Sequence, residues 1–202
     1  LADQIGMRTD NSHGKARILS VDDTLIRQAL DRDEIVVVAG FQGVDAQGNI
    51  TTLGRGGSDT SAVALAAALG AEACEIHTDV DGIYTADPNI CPDAQRIDRI
   101  SYEEMLELSS LGAKVLQVRS VEFAMNHNVP IHVRSAFVED DGSWVTKEEV
   151  SMETVRVRGV TSDTNTAKIT LKQVPDQPGV VAQIFSPLAQ AGVNVDVILQ
   201  NV

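Results

Sequence analysis

Cysteine is scarce in this chain: Cys74 and Cys91 are the two thiols in 202 residues, and they form no Cys-x-x-Cys pair. That excludes a disulfide scaffold and fits free thiols in a reducing compartment. Aromatic residues make up 3%, so a core has to be built from Val, Ile, Leu and Ala. Basic residues are outnumbered, 16 Lys and Arg against 29 Asp and Glu. The resulting acidic balance argues against nucleic acid or an anionic membrane as partner. No apolar run reaches the ~20 residues of a membrane span, and no signal peptide is visible. A cytoplasmic location is therefore expected. His13, His77, His127 and His132 lack metal-ligand spacing, so no metal site is expected on the protein, and no Ser-His-Asp set is identifiable. The chain begins with Leu1 and ends on Val202 after a strand-like run, and is expected to be a segment cut at both ends.

Apolar patterning predicts an α/β protein. Short strands are expected over 16–21 and 131–133, a buried strand over 35–39, which reads as a continuous apolar run, and a second buried strand over 75–78 after the helix. Helices are expected over 23–32, from about residue 60, from the capping box Ser101-Tyr102-Glu103-Glu104, and over about 113–126. Asp45 to Asn49 reads as a hairpin turn. Strands alternating with helices imply a mainly parallel sheet between helices. Residues 139–153 are polar and aperiodic and read as a linker. They separate a larger domain, 1–138, from a small β-β-α-β run over 154–202, with strands near 155–160, 167–174 and 194–199. That run is too small to be stable alone and needs another copy or a partner chain to cover its sheet.

The most informative stretch is Gly54-Arg55-Gly56-Gly57-Ser58-Asp59. A glycine turn opening a helix aims backbone N–H groups at one point, where the helix N-terminus adds partial positive charge. Arg55 can supply a two-pronged donor to a carboxylate or phosphate. The bland alternative is a loop with Ser58 or Asp59 as the helix cap. An arginine has no structural need to sit between glycines, however. A second constellation, Thr78-Asp79-Val80-Asp81-Gly82-Ile83-Tyr84-Thr85-Ala86-Asp87-Pro88, leaves the carboxyl end of a strand, where open α/β sheets bind ligands. It reads equally well as a structural exit loop or as a nucleotide edge. Lys114, expected at a helix start, suits a phosphate, although most lysines are solvated. In the tail, the Pro175–Gly179 turn feeds a helix and can hold an amino-acid carboxylate.

Together these stretches resemble the aspartate kinase family. The match continues through Ser109-Ser110-Leu111-Gly112-Ala113-Lys114-Val115-Leu116 and Arg119-Ser120-Val121-Glu122-Phe123-Ala124. The tail, through Asp176-Gln177-Pro178-Gly179 and Asn194 to Asn201, resembles the regulatory ACT domain of that family. The Thr78–Pro88 stretch is similar to the nucleotide segment of the wider amino-acid kinase superfamily, which includes glutamate, acetylglutamate and uridylate kinases. The Gly54–Asp59 turn and the ACT-like tail narrow it.

The resemblance implies an amino-acid kinase fold followed by a ferredoxin-like βαβ ACT domain. It implies ATP-dependent phosphorylation of L-aspartate to 4-phospho-L-aspartate, the first step of lysine, threonine and methionine biosynthesis. Arg55 would grip the substrate α-carboxylate, Gly56, Gly57 and Ser58 would line the pocket, and Asp59 would be the catalytic carboxylate. Thr78, Asp79, Tyr84, Asn89 and Lys114 would hold ATP, with Mg2+ bridging its phosphates. Asn89 departs from the basic residue many relatives carry there. The family's amino-terminal Lys-containing loop is absent from this sequence, so the chain alone is expected to be inactive. Asp176, Gly179 and Gln200 match effector positions for lysine and/or threonine, bound between ACT domains of a homo-oligomer or an α2β2-type assembly. Met152 stands where a separate small subunit would start. Rival readings are a different amino-acid kinase, or a non-catalytic amino-acid sensor.

Overall fold

The computed structural model describes residues 4–148, 157–162, 167, 169–175, 177, 179–193, 195 and 198. The chain divides into two compact units, Leu1–Asp163 and Thr164–Val202.

The first unit opens with β1 (Arg8–Thr9), β2 (Ile18–Ser20), helix α1 (Thr24–Leu30), β3 (Gln42–Val44) and β4 (Ile50–Thr52). These strands form a sheet in the order β2-β1-β3-β4, with β1 and β3 parallel. The turn between β3 and β4 forms because the buried Asp45 carboxylate accepts the N–H groups of Gln47 and Asn49 at 3.0 and 2.8 Å. That local bonding is what makes Asp a turn residue. Helix α2 (Gly57–Leu69) follows. Next come β5 (Cys74–Thr78), the short pair β6 (Ile83–Tyr84) and β7 (Arg96–Ile97), and β8 (Arg99–Ser101). Helices α3 (Tyr102–Ser110) and α4 (Val118–His127) lead to β9 (Ile131–Ser135) and β10 (Ser143–Thr146). The second sheet runs β5-β9-β10-β8, mixed in direction: β5 is parallel to β9, and β10 is antiparallel to β9.

Two cores result. The larger joins Val63 and Ala66 of α2, Met105 of α3, and Val121 and Ala124 of α4 to Ile131, Val133 and Val145 of the second sheet. The smaller gathers Met7, Ala16, Ile26 and Leu53, with Leu65 and Leu69 of α2 packed against it. Helix α2 is therefore apolar nearly all round because both cores claim it. Its end is set by Gly70 in the left-handed conformation (φ +63°), whose N–H returns to the Ala67 carbonyl. The capping box at α3 is complete: Ser101 Oγ accepts the Glu104 N–H, and Glu104 accepts the Ser101 N–H, both at 3.1 Å.

Several expectations are corrected. Residues 35–39 form no strand. Ile35 and Val37 are 94% and 92% exposed, while Val36 and Val38 pack on the smaller core, so the segment is extended with only one face covered. Strand β5 is not buried on both faces, because it lies at a sheet edge with Glu75 and His77 exposed. Helix α4 starts later than expected, since Leu116 is drawn into the core from an irregular 113–117 loop. Part of the expected linker is strand β10, held by pairing to β8 and β9 and by Trp144 stacking on His132.

In the second unit, α5 (Val180–Gln190) forms where a helix was expected, entered through Gly179 at φ +93°. Residues 167, 169–174, 195 and 198 of this unit, and residues 157–160 of the first, lie in no strand. Ile169, Leu171 and Ile198 are exposed. Met152, Asp176 and Gln200 lie outside the described residues.

Candidate active site

The expected anion turn is built as a glycine staircase. Gly54 (φ +83°) and Gly56 (φ +67°) both adopt the left-handed backbone that favours glycine. Gly57 N–H donates to the Gly54 carbonyl at 2.9 Å, and Thr60 N–H to the Gly56 carbonyl at 3.0 Å. The cap of α2 is Gly56 itself, with no side-chain cap. Ser58 and Asp59, expected as cap candidates, instead lie in the first turn, where N–H groups point out of the helix. Ser58 is exposed. Arg55 is exposed too and makes no hydrogen bond or ion pair with any described residue. A guanidinium at an open helix N-terminus is two positive features side by side, and an anion is what both lack.

Asp59 is half-buried, and that burial raises its carboxyl above the ordinary value, opposed by a bond from its own N–H. Its charge also reaches Cys74: burial first, then the Asp59 carboxylate, push that thiol up to about 11.

The turn is locked by neighbours that sequence reading did not single out. Gly57 packs beneath Phe41 and Leu53, leaving no room for a side chain. Gly56 lies against the Cβ and Cγ of Gln117, the residue capping α4. Arg119 donates to the Leu53 carbonyl at 2.8 Å and to the Ala16 carbonyl at 2.5 Å. The loop carrying Lys114 is thereby brought to the Gly56 turn through Gln117. Lys114 itself is exposed, in that loop rather than at a helix start, and bonds to no described residue.

The second constellation leaves the end of β5. Thr78 Oγ1 donates to the Asp79 carboxylate at 3.0 Å. The Tyr84 hydroxyl donates to Asp81 at 3.0 Å. Asp87 accepts both the N–H and the side-chain amide of Asn89, at 2.9 and 3.0 Å, an Asx turn that shapes the loop tip. Below them Ile83 N–H donates to the buried Ser143 Oγ at 2.8 Å, and Gly82 is close enough to Ser143 and Arg96 that a side chain would collide. Ser143 and Arg119 carry no local signal, because their partners lie far away in sequence. Asp81 could have been found from its spacing to Tyr84.

Among the described residues, no group of three His, Cys, Asp or Glu side chains could hold a metal ion. No helix among them is long and apolar enough to cross a membrane.

Comparison with known proteins shows the family. Residues 1–135 match the amino acid kinase family and residues 169–202 the ACT domain. Aspartokinase of Pseudomonas aeruginosa is 56% identical over 98% of this chain and 49% of its own length. Aspartokinase of Thermus thermophilus is 50% identical, again over 98% of this chain and 49% of its own. The chain thus spans about half the length of the curated relatives it matches. Escherichia coli aspartokinase III in complex with lysine and aspartate, a T-state structure, superposes with a TM-score of 0.78 at 30% identity, over 98% of this chain and 45% of that one. The same enzyme with aspartate and ADP, an R-state structure, gives 0.73 at 31% identity, with the same coverage. Family match and structural likeness agree: the chain belongs to the amino acid kinase family, its kinase region followed by an ACT domain.

Proposed function

We propose that this chain provides the aspartate-binding turn and the nucleotide loop of an ATP-dependent aspartate kinase. The reaction joins a side-chain carboxylate oxygen of L-aspartate to the γ-phosphorus of ATP. The bond from that phosphorus to the β–γ bridging oxygen breaks, and ADP leaves. The substrate carboxylate is already a nucleophile, so catalysis rests on alignment and on neutralising phosphoryl charge.

One observation carries the reading: Arg55 stands without a partner among the described residues, in a glycine turn at the open end of α2, next to half-buried Asp59. In this reading Arg55 grips the α-carboxylate of aspartate in a pocket lined by Gly56, Gly57 and Ser58. Asp59 orients the reacting groups. Thr78, Asp79, Tyr84, Asn89 and Lys114 meet the nucleotide. Mg2+ would be held mainly by the ATP phosphates, as it commonly is. When bound it would offset part of the negative charge of the phosphates.

The ACT domain is the regulatory part of this reading. Lysine and/or threonine bind near Asp176, Gly179 and Gln200, between ACT domains of paired chains in a homo-oligomer or α2β2-type assembly. The enzyme works in the cytoplasm at the head of lysine, threonine and methionine biosynthesis.

The test is aspartate-dependent ADP release by the chain in its complete reading frame, with glutamate as the control acid and lysine plus threonine added. Release specific to aspartate and suppressed by the effectors supports both parts. Release with another acid overturns the substrate, and effector binding without any release points to a sensor.

A further inference from the structure

The β6–β7 pair is a ribbon of its own that joins neither larger sheet by strand pairing. Two short strands alone cannot fix their own orientation. The loop they carry, residues 85–95, is therefore positioned by whatever else grips the ribbon. Thr85 is the neck of that loop: its N–H donates to the Gln95 carbonyl at 2.9 Å, and its Oγ1 accepts the Gln95 N–H at 3.0 Å. Three outside anchors among the described residues hold the ribbon. Ile83 N–H is bonded to Ser143 Oγ, Arg96 is paired with Asp140, and the Thr85 carbonyl accepts the Val160 N–H at 2.7 Å.

The third anchor comes from residues 157–162, outside both family-matched spans. It is itself clamped. Arg158 Nε lies 2.9 Å from Glu104 Oε1, and its Nη1 donates to the Arg99 carbonyl at 3.4 Å. The other Glu104 oxygen is occupied in the α3 capping box. Gly159 lets the segment pass closely: a Cβ there would stand 3.2 Å from the Thr85 carbonyl oxygen.

We propose that Arg158 is a positioning residue for the nucleotide: by clamping residues 157–161 to the start of α3, it delivers the Val160 N–H to Thr85 and fixes the ATP loop. This rests on the nucleotide reading of Tyr84 and Asn89 given above. Arg158 and Glu104 are each more than a third exposed, so their ion pair adds little to global stability. Its effect falls on the loop. A loop that spends less time in the competent geometry binds with an affinity reduced by that fraction. The Arg55 turn is anchored separately, through Gln117 and Arg119, so aspartate affinity is left alone.

The test uses the complete reading frame and compares Arg158→Ala, Arg158→Lys and Val160→Pro, with Val157→Ala as control. Steady-state kinetics and direct titration with a fluorescent ATP analogue are read beside thermal melting. Arg158→Ala is expected to raise the ATP KM and the analogue Kd roughly three- to tenfold, the cost of a competent fraction cut to about a third to a tenth. Its aspartate KM and melting temperature should match wild type. Arg158→Lys, keeping charge but not the fork, recovers part of the loss. Val160→Pro, which deletes the N–H, reproduces the nucleotide defect, and Val157→Ala behaves as wild type. Analogue affinity of Arg158→Ala within twofold of wild type overturns the proposal. So does a parallel loss of ATP affinity, aspartate affinity and melting temperature. A wild-type protein that binds no ATP analogue brings down the nucleotide reading and this proposal with it. A wild-type protein that binds it as well as Arg158→Ala does brings down this proposal alone.

Discussion

Gly56 and Gln117 interlock: with Gly56 at φ +67°, a Cβ on it would occupy the space of the Gln117 Cβ and Cγ. The first carbons of a side chain cannot swing aside without moving their backbone, so the contact joins the N-termini of α2 and α4. Gly56→Ala therefore combines a left-handed backbone penalty of ~1–2 kcal/mol with overpacking of about 1–3 kcal/mol. It is expected to lower urea-denaturation stability by a sum in that range and to depress aspartate-dependent turnover. Gln117→Ala placed beside it should restore part of the stability. A Gly56→Ala protein as stable as wild type would mean that the two loops are not interlocked in solution.

Asp59 carries a carboxyl raised by burial above its ordinary value of 3.8. The sign follows directly. The folded state holds this proton more tightly than the unfolded state, so the group favours folding most at low pH. That advantage is lost as pH rises through the folded value, beyond which a constant penalty remains. Asp59→Asn removes the penalty. Its melting temperature should exceed wild type near neutral pH, with the gap closing as pH falls into the ordinary carboxylate range. Turnover should meanwhile drop by ~10²-fold or more, as misplacement of reacting groups commonly costs. A variant destabilised at neutral pH would contradict the burial argument.

What sequence made legible was what local chemistry decides. Ser101 and Glu104 announce α3 because a capping box is closed within four residues. Asp45 announces its turn because it bonds its own neighbours. The Gly54–Asp59 turn announces the start of α2 because its glycines supply the left-handed backbone that opens the helix. The failures are long-range. The apolar residues of 35–39 say that burial is wanted but not which strand will supply it, and the extended segment is left covered on one face. Residues 113–117 keep helical composition, yet Leu116 serves the core better from a loop. Ser143 sits in a stretch that reads as a polar linker and Arg158 in one that reads as a strand, and neither reading reveals the partners Ile83 and Glu104, which are many residues away.

The two thiols should differ sharply in reactivity. Cys74 is buried, with its thiol pushed up to about 11, while Cys91 is exposed. Only thiolate reacts appreciably with an alkylating reagent. Iodoacetamide at neutral pH is expected to modify Cys91 alone in the folded chain and both cysteines after denaturation. Peptide mapping by mass spectrometry reads this out. Early labelling of Cys74 in the native protein would show that the α2–β5 packing opens.

Arg119 shows how a residue inside a recognised stretch can serve structure rather than substrate. Its guanidinium is spent on two main-chain carbonyls, Leu53 at the entrance of the glycine turn and Ala16 in the smaller core. Both are charge-assisted bonds in a part-buried setting, of a kind whose loss costs about 1.5–3 kcal/mol each. Arg119→Met keeps the apolar stem and leaves both carbonyls without this donor. It should lower stability by more than one such bond, and should weaken aspartate affinity because the start of the Arg55 turn comes loose. Arg119→Lys has one point charge in place of a fork, so it should satisfy one carbonyl and fall between the two. Urea titrations of the three proteins, with aspartate KM measured beside them, separate this from a direct substrate contact: a substrate contact would raise KM while leaving the unfolding midpoint in place.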